Sequence, residues 1–195
     1  MSISLHNHSR KQEPTMLTKP KRNSLPSDFS TSQNTQKLLK EQKFARDIVL
    51  YFMSECFLGL HWEPTSNFIV KDTDSPFTTS VRRIVKDIVD THGANIHEQY
   101  DEDFPEKDNV TKNSFRKCCI NLLHPVIFNT FEIECYILMC VSLCLYAGLS
   151  YLYGLEDAPN MSRIYIAASF AISHANDDVW KQLISYCERY PLIYR

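Results

Sequence analysis

Glycine is scarce in this chain: 4 of 195 residues, at positions 59, 93, 148 and 154. Phosphate-cradling loops need two or three glycines within a few residues, so a Walker loop, a dinucleotide fingerprint and a kinase loop are excluded. All-β sandwiches and barrels, which use glycine at their turns, are disfavoured for the same reason. A basic field is lacking too. The formal net charge is −2, against the positive surface that a nucleic-acid binder presents, so no nucleic-acid partner is expected. No Cys-x-x-Cys pair occurs among Cys56, Cys118, Cys119, Cys135, Cys140, Cys144 and Cys187, and no apolar run follows Met1. Without an export signal these thiols read as reduced, small core residues. A zinc site from Cys118, Cys119 and His124 would need adjacent cysteines to reach one metal from different sides of a helix, so no metal and no cofactor are expected. The histidines (6, 8, 61, 92, 97, 124 and 174) fall in no His-Glu-x-x-His helix, and no Gly-x-Ser-x-Gly elbow occurs. Nothing has catalytic spacing, and an enzyme is not expected.

What is present divides the chain. Residues 1–34 hold Arg10, Lys11, Lys19, Lys21 and Arg22 against Glu13 and Asp28, a net +3, which leaves −5 on residues 35–195. The first segment is rich in Ser, Thr, Asn, Gln and Pro and has almost nothing apolar to bury. It cannot offset the entropy of ordering itself and is expected to be a disordered tail; Lys19-Pro20-Lys21-Arg22 beside Ser24 has the form of a nuclear-import or phospho-regulated patch but is read as part of that solvated tail. A helical domain is expected over 35–195.

Apolar residues recur at helical spacing from about Thr35 to Leu60, through Leu38, Leu39, Phe44, Ile48, Tyr51, Phe52 and Cys56, with Gly59 as a stop. The following linker includes Phe68-Ile69-Val70, which is apolar enough to dock on the core. Ser75-Pro76 is read as the opening of a second helix, whose Phe77, Val81, Ile84 and Ile88 step by four, three and four along one face. His92-Gly93 is read as its end, and Glu98–Asp108 as an exposed acidic connection with room for one helical turn at its start. A third helix is expected from near Thr111 to a break at His124-Pro125. Then comes the most unusual segment. Cys135–Leu155 contains no charge, and no Lys or Arg occurs between Cys118 and Ser162. A helix apolar all round must be surrounded by other helices or by lipid. The flanking Glu132, Glu134, Glu156 and Asp157, and the hydroxyls of Tyr136, Tyr146, Tyr151 and Tyr153, favour a buried central helix. Asn129-x-x-Glu132 has the form of a capping box at its start. Two more helices are expected, over about Met161–His174 and from Asn176-Asp177-Asp178 through Trp180 to Pro191.

This order of helices, with the four-three-four row, the chargeless central helix and Trp180 near the end, resembles the Bcl-2 family of apoptosis regulators over about Leu38–Tyr190. The resemblance implies an all-α bundle around a central hydrophobic helix. It also implies a regulator of apoptosis that binds amphipathic partner helices in a hydrophobic groove, either Bcl-2-family proteins or others presenting such helices. Cytoplasmic location follows, with mitochondrial-membrane association through the central helix. The row Phe77, Val81, Ile84 and Ile88 resembles the family's third homology motif, with Val85 and Lys86 where the family has a small residue and an aspartate. The groove implied by the resemblance is lined by those residues with Phe115, Leu122, Val126 and Phe131. Phe131 stands where the family places an arginine that pairs with a ligand's carboxylate. Two other readings remain: a membrane protein anchored by residues 135–155, and a scaffold of the same fold without an apoptotic role.

Overall fold

A computed structural model describes residues 31–57, 59–69, 74–128, 132–172 and 177–193, and in 31–39, 126–128, 177 and 191–193 the backbone course alone. The described residues are all-helical, with six α-helices and no strand: α1 (Thr31–Tyr51), α2 (Thr79–Asp103), α3 (Lys112–Phe128), α4 (Ile133–Leu152), α5 (Ala158–Ile172) and α6 (Asp177–Ile193). The expected disorder of residues 1–30 lies outside the described residues. α1 starts at Thr31 rather than near Thr35, because extending an established helix over polar residues costs far less than nucleating one. Its inward face is Phe44, Ala45, Ile48, Val49, Phe52 and Met53. The last turn widens to a π-turn over Phe52–Cys56, closed by the Phe57 amide donating to the Phe52 carbonyl at 2.9 Å. Phe68 docks as expected, edge-on to Trp62 at 5.1 Å, whereas Ile69 stays exposed; Val70 lies outside the described residues.

α2 departs from expectation at both ends. Thr78, not Ser75, caps it: its Oγ1 accepts from the Val81 amide at 3.5 Å. His92-Gly93 does not stop it. Glycine inside a helix costs only about 1 kcal/mol relative to alanine, less than the burial of Ile96 and Tyr100 one and two turns further returns. The acidic stretch is therefore helical to Asp103, where Pro105 forces Phe104 out of helical geometry. A reciprocal cap opens α3, with the Ser114 amide donating to Thr111 Oγ1 at 3.2 Å and the Thr111 amide to Ser114 Oγ at 3.0 Å. The expected break at Pro125 does not occur. The proline lies on the exposed face, where water can serve the carbonyl left without a donor. α6 likewise runs through Pro191.

α4 is the axis. Glu132 stands at its N-cap rather than inside a capping box and makes no side-chain cap bond; Asn129 lies outside the described residues. The helix ends earlier than Leu155, in a Schellman turn. Leu155 N donates to Ser150 O at 2.9 Å and Gly154 N to Tyr151 O at 3.0 Å, with Gly154 at φ +89°. α2, α3 and α5 pack along α4, and α1 and α6 complete the cover. With a mean hydropathy of 1.8 over its most apolar stretch, α4 meets the length and apolarity of a bilayer span, yet 72% of that stretch is buried in protein. Its hydroxyls have partners: Tyr136 OH donates to Ile166 O (3.5 Å) and Tyr146 OH to Asp103 Oδ2 (2.8 Å). An aromatic cluster ties the helices together. Phe44 of α1 meets Phe77 (5.9 Å), Phe170 (5.5 Å) and Trp180 (5.4 Å), and Phe170 stacks on Trp180 at 4.1 Å.

Candidate functional site

A cleft of about 220 Å³ opens where α2, the first turns of α4 and the last turns of α6 converge. α2 contributes Ile84, Ile88 and His92, one residue per turn, so a single stripe of that helix forms one wall. α4 contributes Ile137 and Leu138 to the floor and Glu134 and Cys135 to the rim, because the chargeless run begins just inside the helix and its first turn still carries polar side chains. Tyr186 and Tyr190 of α6, four residues apart, close the third side with ring centroids 5.9 Å apart. The cleft is apolar below and polar above. Ile84 and Ile137 are fully buried, Leu138 is 40% exposed, and Glu134 accepts a 2.6 Å hydrogen bond from Tyr186 OH. Arg83 Nη2, donating to Cys187 O at 3.4 Å, holds α2 to α6 beside it.

Of the eight residues implied by the resemblance, Ile84 and Ile88 line this cleft. Val81 shares their helix face but is buried further along it, whereas Phe77, expected on the same row, precedes the Thr78 cap and lies outside the helix, buried between Phe44 and Tyr51 (5.9 and 5.6 Å). Phe115 is wholly buried in α3, and Leu122 is half-buried against the core. The side chain of Val126 and the whole of Phe131 lie outside the described residues. His92, Glu134, Cys135, Ile137, Leu138, Tyr186 and Tyr190 were not singled out from the sequence as site residues. The Tyr-x-x-x-Tyr spacing at the chain's end was the one legible signal for any of them.

Cys135 is the exposed member of the seven free cysteines; Cys56 is half-buried and the others are buried. Desolvation, with Glu132 and Glu134 beside it, holds its thiol above the ordinary range, so it is a weak nucleophile at neutral pH. Burial pushes the thiols of Cys119, Cys140 and Cys187 up to about 12. Cys118 is raised as well, by burial and by the Asp103 carboxylate that accepts its S–H at 3.3 Å. These groups are thiols, not thiolates, and among the described residues no three of His, Cys, Asp and Glu converge as a metal site. What the cleft can do chemically is bury apolar side chains beneath a polar rim. Together, fold and cleft define an all-helical bundle with a concave apolar site beside its central helix. Comparison with family models, with curated proteins and with solved structures finds no match to this chain.

Proposed function

We propose that this chain is a Bcl-2-like regulator of apoptosis that acts by protein–protein interaction, taking an amphipathic helix from a partner into the cleft between α2, α4 and α6. The observation that carries the reading is the position of that cleft. It lies between the helix bearing the four-three-four row and the start of the sheathed central helix, under the helix that Trp180 anchors. Ile84 and Ile88 stand one turn apart in its wall, a spacing that side chains on a partner helix can match, and each large one fully buried supplies roughly 1.5–3 kcal/mol. On this reading the protein works in the cytoplasm and meets mitochondrial membranes through α4, the element apolar enough for lipid.

The test is a titration of the full chain with fluorescent peptides carrying four apolar residues at four-, three- and four-residue steps. Saturable binding in the micromolar range or tighter is expected, weakened at least about tenfold by Leu138→Asp, a substitution at a half-exposed site that leaves the core intact. No binding at high micromolar concentration removes the groove mechanism. A second reading keeps the fold but gives it a scaffolding role, favoured by the absence of any arginine or lysine among the described residues that line the cleft. Binding of amphipathic helices from signalling proteins, with none from apoptotic regulators, selects that version.

A further inference from the structure

α3 and α5 pack side by side, and α3 carries three cations, Lys112, Arg116 and Lys117, without one carboxylate, in a chain whose net charge is −2; Arg163 of α5 is turned away, over the Phe68 ring at 5.8 Å. Between them runs a second cleft of about 550 Å³ that shares no helix with the first. One wall is an apolar row on α5, formed by Met161, Ile164 and Ala168 and continued at the same spacing by Ile172. The other wall is α3, with Lys112 and Arg116 at its lip. Ile164 is 50% exposed, Ile172 51% and Ile120, one turn beyond Arg116, 51%. The other exposed large aliphatics described (Ile69, Leu138 and Leu152) lie elsewhere, so half of that set is gathered on this one pair of helices. Polar contacts fix the lips. Arg116 Nε donates to Tyr165 OH at 3.3 Å, and Lys112 Nζ pairs with Asp157 Oδ2 at 3.1 Å, neutralising the one carboxylate on the cleft.

We propose that this second cleft docks an amphipathic helix of a partner protein whose apolar row is flanked by acidic residues. Two packed helices leave a furrow into which a third fits ridge into groove, which a flat lipid surface does not do. Isoleucines half in water gain burial from such a helix, and the cations set the sign of its flanks. The chain's own residues 1–30 carry net +3, the wrong sign to complement Arg116 and Lys117.

The experiment compares two peptides of about five helical turns (~18 residues), alike in a leucine row and differing in flanks of Glu or Lys, titrated into the full chain at low and physiological salt. The Glu peptide is expected to bind about tenfold or more tighter, with the gap closing as salt rises. The double reversal Arg116→Glu/Lys117→Glu is expected to invert the order, and Ile164→Asp to erase the difference between the peptides, while Leu138→Asp, which removes only the first cleft's share of binding, leaves the preference for the Glu peptide unchanged. All are exposed positions, and unchanged circular dichroism checks the fold. Equal binding of the two peptides, or an order untouched by the reversal, overturns the proposal. So does loss of binding in Leu138→Asp, which assigns the peptide to the other cleft. If instead the reversal abolishes binding to phosphatidylserine vesicles or self-association in sedimentation, and no peptide binds, the occupant is a membrane or a second copy and the helix assignment falls.

Discussion

Gly148 sits in the middle of the buried helix because the Phe57 ring, carried there by the π-turn at the end of α1, fills the space a side chain would need. A Cβ built at Gly148 lies 2.7 Å from Phe57 Cδ2 and 2.8 Å from Cε2. Gly148→Ala is therefore expected to destabilise by roughly 1–3 kcal/mol, with part regained when Phe57 is reduced to Leu in the same chain. Gly93 is the opposite case. A Cβ there meets only Val89 Cγ1, at 3.7 Å, and Gly93→Ala should stabilise by up to about 1 kcal/mol. Urea unfolding with unchanged slope checks both. The thiols give a pH dependence. Cys140, Cys119 and Cys187 stay protonated in the folded chain up to about 12, whereas the unfolded chain loses those protons above the ordinary thiol range, near 9. Their contribution is whole below pH 9 and declines as pH rises toward 12. The melting temperature under reducing conditions should be flat through neutrality and fall steadily above pH 9. A maleimide should label Cys135 first, faster as pH rises, with intact-mass spectrometry counting one fast site before denaturation.

At the scale of elements, α6 is the helix whose docking decides whether the first cleft has a third wall. It is held by Trp180, stacked on Phe170 and tilted against Phe44, by the buried Leu183 and Cys187, and by Arg83 of α2 donating to the Cys187 carbonyl. Replacing Trp180 by Ala removes the shared ring of that cluster and is expected to cost about 3–5 kcal/mol. Hydrogen exchange should then rise along α6 and across the cleft-lining turns of α2 and α4, while α3 and α5 keep most of their protection. The continuation of α2 past Gly93 belongs to the same scale. A local break signal worth about 1 kcal/mol is outweighed when the next two turns bury Ile96 and Tyr100.

For the whole molecule, the governing arrangement is the sleeve of helices around α4. In a rod of mean hydropathy 1.8, 72% of the most apolar stretch is covered by neighbouring helices. Lipid can replace that cover only after the sleeve opens. Trp180→Ala, which loosens α6, should therefore raise the fraction of protein that floats with liposomes and resists alkaline carbonate, relative to the parent chain. Equal partition of the two would show that the sleeve does not limit access of α4 to lipid.

Helix number, the inward stripes of α1 and α2 and the chargeless rod were legible because periodicity and charge are local properties that survive any tertiary context. Ile84 and Ile88 could be placed on a buried face for the same reason. The stripe could not say which neighbour would cover it, so Phe77 and Val81 shared the expectation yet went to the core, while Glu134 and Tyr186 met from positions far apart in the chain. Sequence by itself determined that this protein is helical, poor in turns and built around a segment that must be wrapped. Only the tertiary structure decided where helices ignore glycine and proline, which rows stay open as clefts, and which side chains rim them. Those outcomes are set by burial energies between distant segments, each larger than the local preferences the sequence displays.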